Sequence, residues 1–401
     1  MNIPNEYKIS DNRNKKKFSK KTFSGYKKSD VFKIFNKSLL ENKLEDALNW
    51  SVEIIVSNYI NEIWDKLLLF MCNHINTANI KTINYIHKKY KEYTSLIKNN
   101  EHSYLRNNQQ FRNNICEIVC ILCLSEKKKL ITLKKPKITE FTLEHVKSRI
   151  KKNTINYDLI RLGDPNELKI ACNEIFHSFD NYDLPNILYW LSWIIEWEKI
   201  VTKKKKNYVC GYRPLQDIDI KYHNNMIWHI WEIIIYKTKQ RYSNFVEEIK
   251  SLYDIFKYDY KKSKQNKRLP FLVCAIELLF YNGNKNNILI HRYDILVQAS
   301  ININFIYKEK KAYENLSHEL EKNDKYKFIY RNNQEHNSSP KNIHNSIPKN
   351  TKRKKGNISD TSLKKLEYVM NIGKIIRKDN NPKKVIHYSR PSNEIKNIKL
   401  I

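Results

Sequence analysis

The chain has 401 residues, with 74 Lys+Arg against 42 Asp+Glu and a formal net charge of +32. Its six glycines are too dispersed to build a phosphate-cradling P-loop or a G-x-G-x-x-G turn, which excludes an ATPase site of the usual kind; no G-x-S-x-G, H-E-x-x-H or EF-hand spacing is present either. The most apolar stretches, 187–200 and 226–236, fall short of the ~20 residues of a membrane span and contain Glu196, Glu198 and Glu232, so the expectation is a soluble intracellular protein without membrane contact.

Residues 1–29 carry about +7 and residues 320–401 about +13, leaving about +12 for everything between. Lysine far outnumbers arginine, and Asn, Ile and Tyr are abundant, as A/T-rich codons dictate, so part of the charge is compositional. Its concentration at the two ends is what points to a polyanionic partner. Seven irregularly spaced cysteines fit free thiols in a reducing compartment.

In chain order, residues 1–29 are poor in apolar side chains and read as a disordered basic arm. Ser29-Asp30 offers an N-cap, and Val31, Ile34, Phe35, Ser38 and Leu39 trace one helical face. Two more faces follow, Ala47 to Val56 and Ile60 to Met71, and then helices near 79–97 and 105–125. Short joints are expected at 43–46, 73–79 and 99–101, making residues 30–130 an N-terminal helical half.

Residues 131–164, punctuated by Lys134-Lys135-Pro136 and Gly163-Asp164-Pro165, read as a linker or long connection. A C-terminal helical half over 165–321 has segments near 165–179, 183–201, 222–240, 242–260, 269–281, 289–300 and 305–321. An exposed loop is expected at 201–214. Residues 322–401 read as a disordered basic tail with one short helix at 361–377. No strand passes the tests of length and flanks, so the expected fold is all-α, an array of packed helical hairpins in two halves. Leu48-Asn49-Trp50-Ser51 and Leu188-Tyr189-Trp190-Leu191 form a weak internal echo.

Few residues carry recognisable chemistry. Cys116, Cys120 and Cys123 share one helix face, where they pack as small hydrophobes rather than hold zinc, for which a fourth ligand is lacking. His223 and His229, six residues apart, fall on different sides of a helix and read as surface or capping groups. Glu53, Glu196, Glu198 and Glu232 lie in apolar helices and are expected to pair with Lys or Arg of neighbouring helices.

Arg106, Asn107, Asn108 and Arg112 cluster at a predicted helix start, where two guanidinium forks and free backbone N–H groups suit an anion, or equally an internal network. Tyr and Lys interleave over 236–262, as for stacking on a single strand or for two half-buried helices. Lys15–Lys17, the run Lys203, Lys204, Lys205 and Lys206, and the run Lys352, Arg353, Lys354 and Lys355 supply delocalised phosphate contacts.

Ala47-Leu48-x-Trp50-x-x-Glu53 followed by Ile63-Trp64-x-x-Leu67 resembles the helical collar of clamp-loader-like (MgsA-related) AAA ATPases, over about 30–125 and without the ATPase module. The segments 105–113, 189–200 and 226–235 resemble an all-helical family of large nucleocytoplasmic DNA viruses, over roughly 30–315. These resemblances imply a helical assembly or nucleic-acid-handling module in viral genome replication or processing, in a host cytoplasm, nucleus or virion. The expectation is therefore a non-enzymatic protein without cofactor or metal that binds nucleic acid, DNA ahead of RNA. The alternative is a virion or scaffold protein whose helical core binds protein partners.

Overall fold

The structure, a computed structural model, describes residues 3–322 apart from Asn12 and the segments 100–101, 153–157, 204–209 and 284–287. The expected tail beyond 322, with its helix at 361–377, lies outside the described residues.

The first three apolar faces become three consecutive helices. α1 (Lys28–Leu40) buries Val31, Phe35, Ser38 and Leu39, α2 (Leu44–Val56) buries every residue from Trp50 to Val56, and α3 (Ile60–Phe70) buries Ile63, Trp64, Leu67 and Leu68. Asn42 and Asn58 make the turns between them, with φ of +57° and +60°. Asparagine tolerates this left-handed conformation and here ends helices in glycine's usual place. The Lys43 N–H then donates to the Ser38 carbonyl at 2.9 Å and the Tyr59 N–H to that of Ile54 at 3.1 Å, closing each last turn. The first joint is therefore 41–43, slightly ahead of the expected 43–46.

A wide turn at Met71–Ile75 and a tight one at Asn76–Ala78 lead into α4 (Lys81–Asn99). After the single turn α5 (His102–Leu105) comes α6 (Gln109–Leu124), which packs on α1 to α4. Cys116, Cys120 and Cys123 are buried in α6 as packing groups, and burial pushes the Cys123 thiol up to about 12. The segment expected as linker or connection is a connection, largely exposed but pinned to the helices at several points. The Ile131 N–H donates to the Glu277 carboxylate at 2.6 Å, Ser192 Oγ to the Lys134 carbonyl, and the Trp193 indole to that of Glu140 at 3.0 Å. Within it α7 (Leu143–Arg149) buries Val146, and Phe141 stacks on Trp193.

α8 (Asn166–Asp180) and α9 (Leu184–Lys203) form the next hairpin, followed by α10 (Ile227–Arg241), α11 (Val246–Lys257), α12 (Gln265–Leu279) and α13 (Tyr293–Lys322). Trp50 and Trp190, the centres of the sequence echo, are each buried in the second helix of a hairpin, α1–α2 and α8–α9. The two halves are divisions of sequence rather than of space. α11 packs on α4, α12 on α3, and α13 returns to α2 and α6.

Three expectations are corrected here. The helices expected at 289–300 and 305–321 are one, because the polar residues between them make lateral contacts: Asn304 accepts from Arg112 and donates to Gln109. The described part of the 201–214 loop is exposed only in part: Tyr212 and Pro214 face solvent, but Cys210, Gly211 and Arg213 are buried. Arg213 donates twice to Asp164, both at 2.9 Å, and once to Glu232 at 2.6 Å. Gly211 is required there, because a Cβ would lie 2.7 Å from both Arg161 Cβ and the Leu162 carbonyl oxygen. Finally, His223 and His229 are buried rather than superficial. His223 bridges the Tyr212 hydroxyl and the Ile218 carbonyl, and His229 sits 3.8 Å from Asp164.

All four glutamates are paired, but only Glu53, with Lys310 of α13, finds its partner on a neighbouring helix; Glu196 pairs with Lys199 of its own helix and with Lys135, Glu198 with Lys262, and Glu232 with Arg161 and Arg213, which lie in connecting segments. No described helix is long and apolar enough to cross a membrane, and the described residues contain no strand beyond one isolated bridge, Lys21 to Lys27.

Two buried imidazoles make stability depend on pH. His87 joins α4 to α11 through Ser251 at 2.9 Å, and burial with nearby lysines lowers it to about 4. Burial and Arg213 lower His229 to about 3. Each imidazole takes up a proton near 6.5 when unfolded but not when folded, so stability falls as pH drops below 6.5, by at most ~1.4 kcal/mol per pH unit for each. Urea midpoints should therefore decline from pH 7 to pH 5, and His87→Gln should flatten that decline.

Candidate nucleic-acid interface

The expected disordered arm at 1–29 is, in its described residues, an ordered strap. Ile9, Phe18 and Phe23 are buried. Three apolar anchors would not hold so polar a segment alone; its peptide groups must also find partners. They come from the cluster expected to bind an anion. Arg106, 2 % exposed, donates to the carbonyls of Val56 and Asp11. Arg112, 1 % exposed, donates to those of Arg106 and Tyr7 and to the side-chain oxygens of Asn304 and Asn107, with its guanidinium 3.5 Å from the Tyr307 ring centre. Asn107 clasps Ile9 by accepting from its N–H and donating to its carbonyl, and Asn108 caps α6 by accepting from the Phe111 N–H. The internal network is what forms: these forks hold residues 7–11 and face no solvent.

Downstream, Asn58 donates to the Arg13 carbonyl, the Tyr59 hydroxyl donates to that of Phe18, and the Arg13 guanidinium lies over the Phe18 ring. The chain then reverses through Thr22 to Gly25, where Gly25 takes φ +84° and the Thr22 N–H donates to the Tyr26 carbonyl at 2.7 Å. The buried Glu53 fixes this turn by accepting from the Ser24 N–H at 2.8 Å and hydroxyl at 2.7 Å, and pairs with Lys310 of α13 at 3.0 Å. Burial acts to raise the Glu53 carboxyl, and Lys310 with the Ser24 donors outweighs it, holding it below the usual carboxylate range.

The outcome is a rigid display of lysines. Lys20, Lys21, Lys27 and Lys28 from the turn, Lys33 of α1, Lys66 of α3 and Lys267 of α12 line one groove of about 1140 Å³. Its two carboxylates are neutralised, Glu62 by Lys15 and Asp65 by Lys267, both at 2.6 Å. The Lys28 ammonium lies 3.8 Å from the Tyr59 ring centre. Among the described residues Lys20, Lys21, Lys27, Lys33 and Lys66 have no acidic partner within salt-bridge distance. A cluster of ammonium groups on a fixed backbone concentrates positive potential and selects polyanions.

Of the other expected contacts, Lys15 is engaged with Glu62 while Lys16 and Lys17 are exposed. Lys203 ends α9, whereas Lys204, Lys205, Lys206, Lys352, Arg353, Lys354 and Lys355 lie outside the described residues. The interleaved tyrosines are structural: Tyr253 packs on Trp231, and Tyr260 on Trp228. Sequence reasoning missed Lys20, Lys21, Lys27, Lys33 and Lys66 as site residues. The signal was the symmetry of Lys20-Lys21-Thr22-Phe23-Ser24-Gly25-Tyr26-Lys27-Lys28, paired lysines about a Ser-Gly turn.

Arg112→Ala removes the donors of several carbonyl groups at once and should cost ~3–5 kcal/mol. Arg112→Lys should restore little, since an ammonium cannot reproduce the fork. Limited trypsin digestion reads the same event, with cleavage at Lys15–Lys17 accelerated well beyond wild type in both variants.

No protein-family model, no curated protein and no solved structure matches this chain.

Proposed function

We propose that this protein is a non-enzymatic nucleic-acid-binding factor that grips the phosphate backbone in the lysine groove. The supporting observation is that five lysines without acidic partners border one groove, three of them on an anchored turn. Lysine is a compact point charge suited to phosphate and blind to base sequence. Phe32 is the groove's one aromatic side chain, and it is half-buried, so the site reads charge and shape rather than stacked bases. On the viral resemblance, we assign the binding to DNA ahead of RNA, in genome replication or processing. A second reading, a scaffold that binds protein, is favoured by an exposed apolar stripe on α13.

Counterion release supplies the test. Each lysine that neutralises a phosphate adds ~0.9 to the slope of log affinity against log salt on duplex DNA. In the full chain, replacing Lys20, Lys21, Lys27 and Lys33 together by Ala should lower that slope by ~3–4 and weaken all duplex sequences alike. Fluorescence anisotropy with duplex DNA, single-stranded DNA and RNA over a salt series measures both. An unchanged slope would move the binding away from the groove.

A further inference from the structure

The connection between α6 and α8 carries charge that the groove does not account for. Residues 126–152 hold ten Lys and Arg against three Asp and Glu, more than half of the net charge of about +12 between residues 30 and 319. Over 126–137 the chain forms neither helix nor strand, yet its backbone is fastened at successive points. The Lys128 and Leu130 N–H groups donate to the His74 and Asn73 carbonyls at 2.8 and 3.0 Å. The Ile131 N–H donates to Glu277 of α12, and the Lys134 carbonyl accepts from Ser192 of α9 at 2.7 Å. The backbone is used inward while the side chains of Lys128, Lys129, Lys134, Lys135 and Lys137 are left at the surface. Lys135 reaches Glu196 at 3.4 Å, whereas among the described residues Lys129, Lys134 and Lys137 have no acidic partner within salt-bridge distance.

We infer that this connection is a second phosphate track, continuous with the lysine groove along the exposed face of α1. It rests on the reading of the groove as a nucleic-acid site and extends that site. Two helices run from one to the other. α1 lines the groove with Ser29, Lys33 and Asn36, and just past its end Asn42 accepts from the Lys127 ammonium at 2.8 Å. α12 starts with Lys267 in the groove and holds the connection through Glu277 near its end. By helical rise each covers ~15 Å, which is ~4–5 base-pair steps of a duplex. The exposed row on α1 is Ser29, Lys33, Lys37 and Leu40, at helical spacing and without a carboxylate. Glu41 at its end is engaged by Lys37 and Lys43, at 3.6 and 2.8 Å. A polyanion leaving the groove along α1 therefore meets further positive charge on backbone that is already fixed.

Replacing Lys129, Lys134 and Lys137 together by Gln in the full chain should lower the salt slope by ~2–3 on a duplex of ~30 base pairs. The bonds that pin the connection come from its backbone, so these substitutions spare them. Lys88, Lys239 and Lys250, exposed on other helices, remove the same charge when replaced by Gln and should leave the slope within ~0.5 of wild type. Joined to the groove substitutions, the track substitutions should lower the slope by the sum of the two losses. Anisotropy titration at saturating concentration should count one duplex per chain. A slope loss no larger than the control's, or a second duplex bound by one chain, overturns the track, and the groove variant then still tests the groove by itself. A native chain that binds no nucleic acid overturns both.

Discussion

The structure depends on an exchange between buried guanidinium groups and a stretch of irregular backbone. Residues 8–11 lie in no helix and Tyr7 closes a single helical turn, so their peptide groups need partners wherever water is excluded. Arg106 and Arg112 are buried cations whose guanidinium donors need partners. Each side solves the other's problem: carbonyls of Tyr7 and Asp11 receive the forks, and Asn107 clasps Ile9 between them. Without the strap both arginines would be stranded in the interior, and without the arginines the strap would have too little apolar surface to stay.

The lysine groove is downstream of that exchange. A lysine on a free arm meets phosphate only after its backbone has been ordered, at a cost of ~1–2 kcal/mol for each residue fixed. Here Glu53, Ser57 and Tyr59 fix the turn in advance, so the order is already present when a polyanion arrives. The same anchoring separates functional from compositional lysine. Lys237 and Lys310 are buried against acids and brace helices, while Lys20, Lys21 and Lys27 are held in the open by a turn that the core secures.

Helix existence was legible because apolar residues recur with the helical period, and the identity of α1 to α4, α6 and α8 to α12 followed from it. The pairing of buried glutamates was legible from the cost of an unpaired carboxylate. What was hidden was long-range. The order of the strap rests on Arg106, Arg112 and Asn304, about 100 and 300 residues away, and local composition around Ile9 carries no trace of them. The break expected within α13 was a polar patch serving those arginines, and the loop at 210–214 was drawn inward by Asp164. Periodicity reports which face is apolar; it does not report which polar residues have found one another.

The fastening of the strap to α13 also sets an order of assembly. Glu53 awaits Lys310, the Ser10 N–H awaits Glu314, and Arg112 awaits Asn304 and Tyr307. The ribosome makes the strap first, then adds close to 300 residues at ~5–20 per second before these partners emerge. For ~15–60 s the nascent strap therefore has only its earlier partners, among them Glu53, Asn58, Tyr59 and Asn107, and lacks those of α13. The strap is made long before α13, yet its last partners arrive only with that helix.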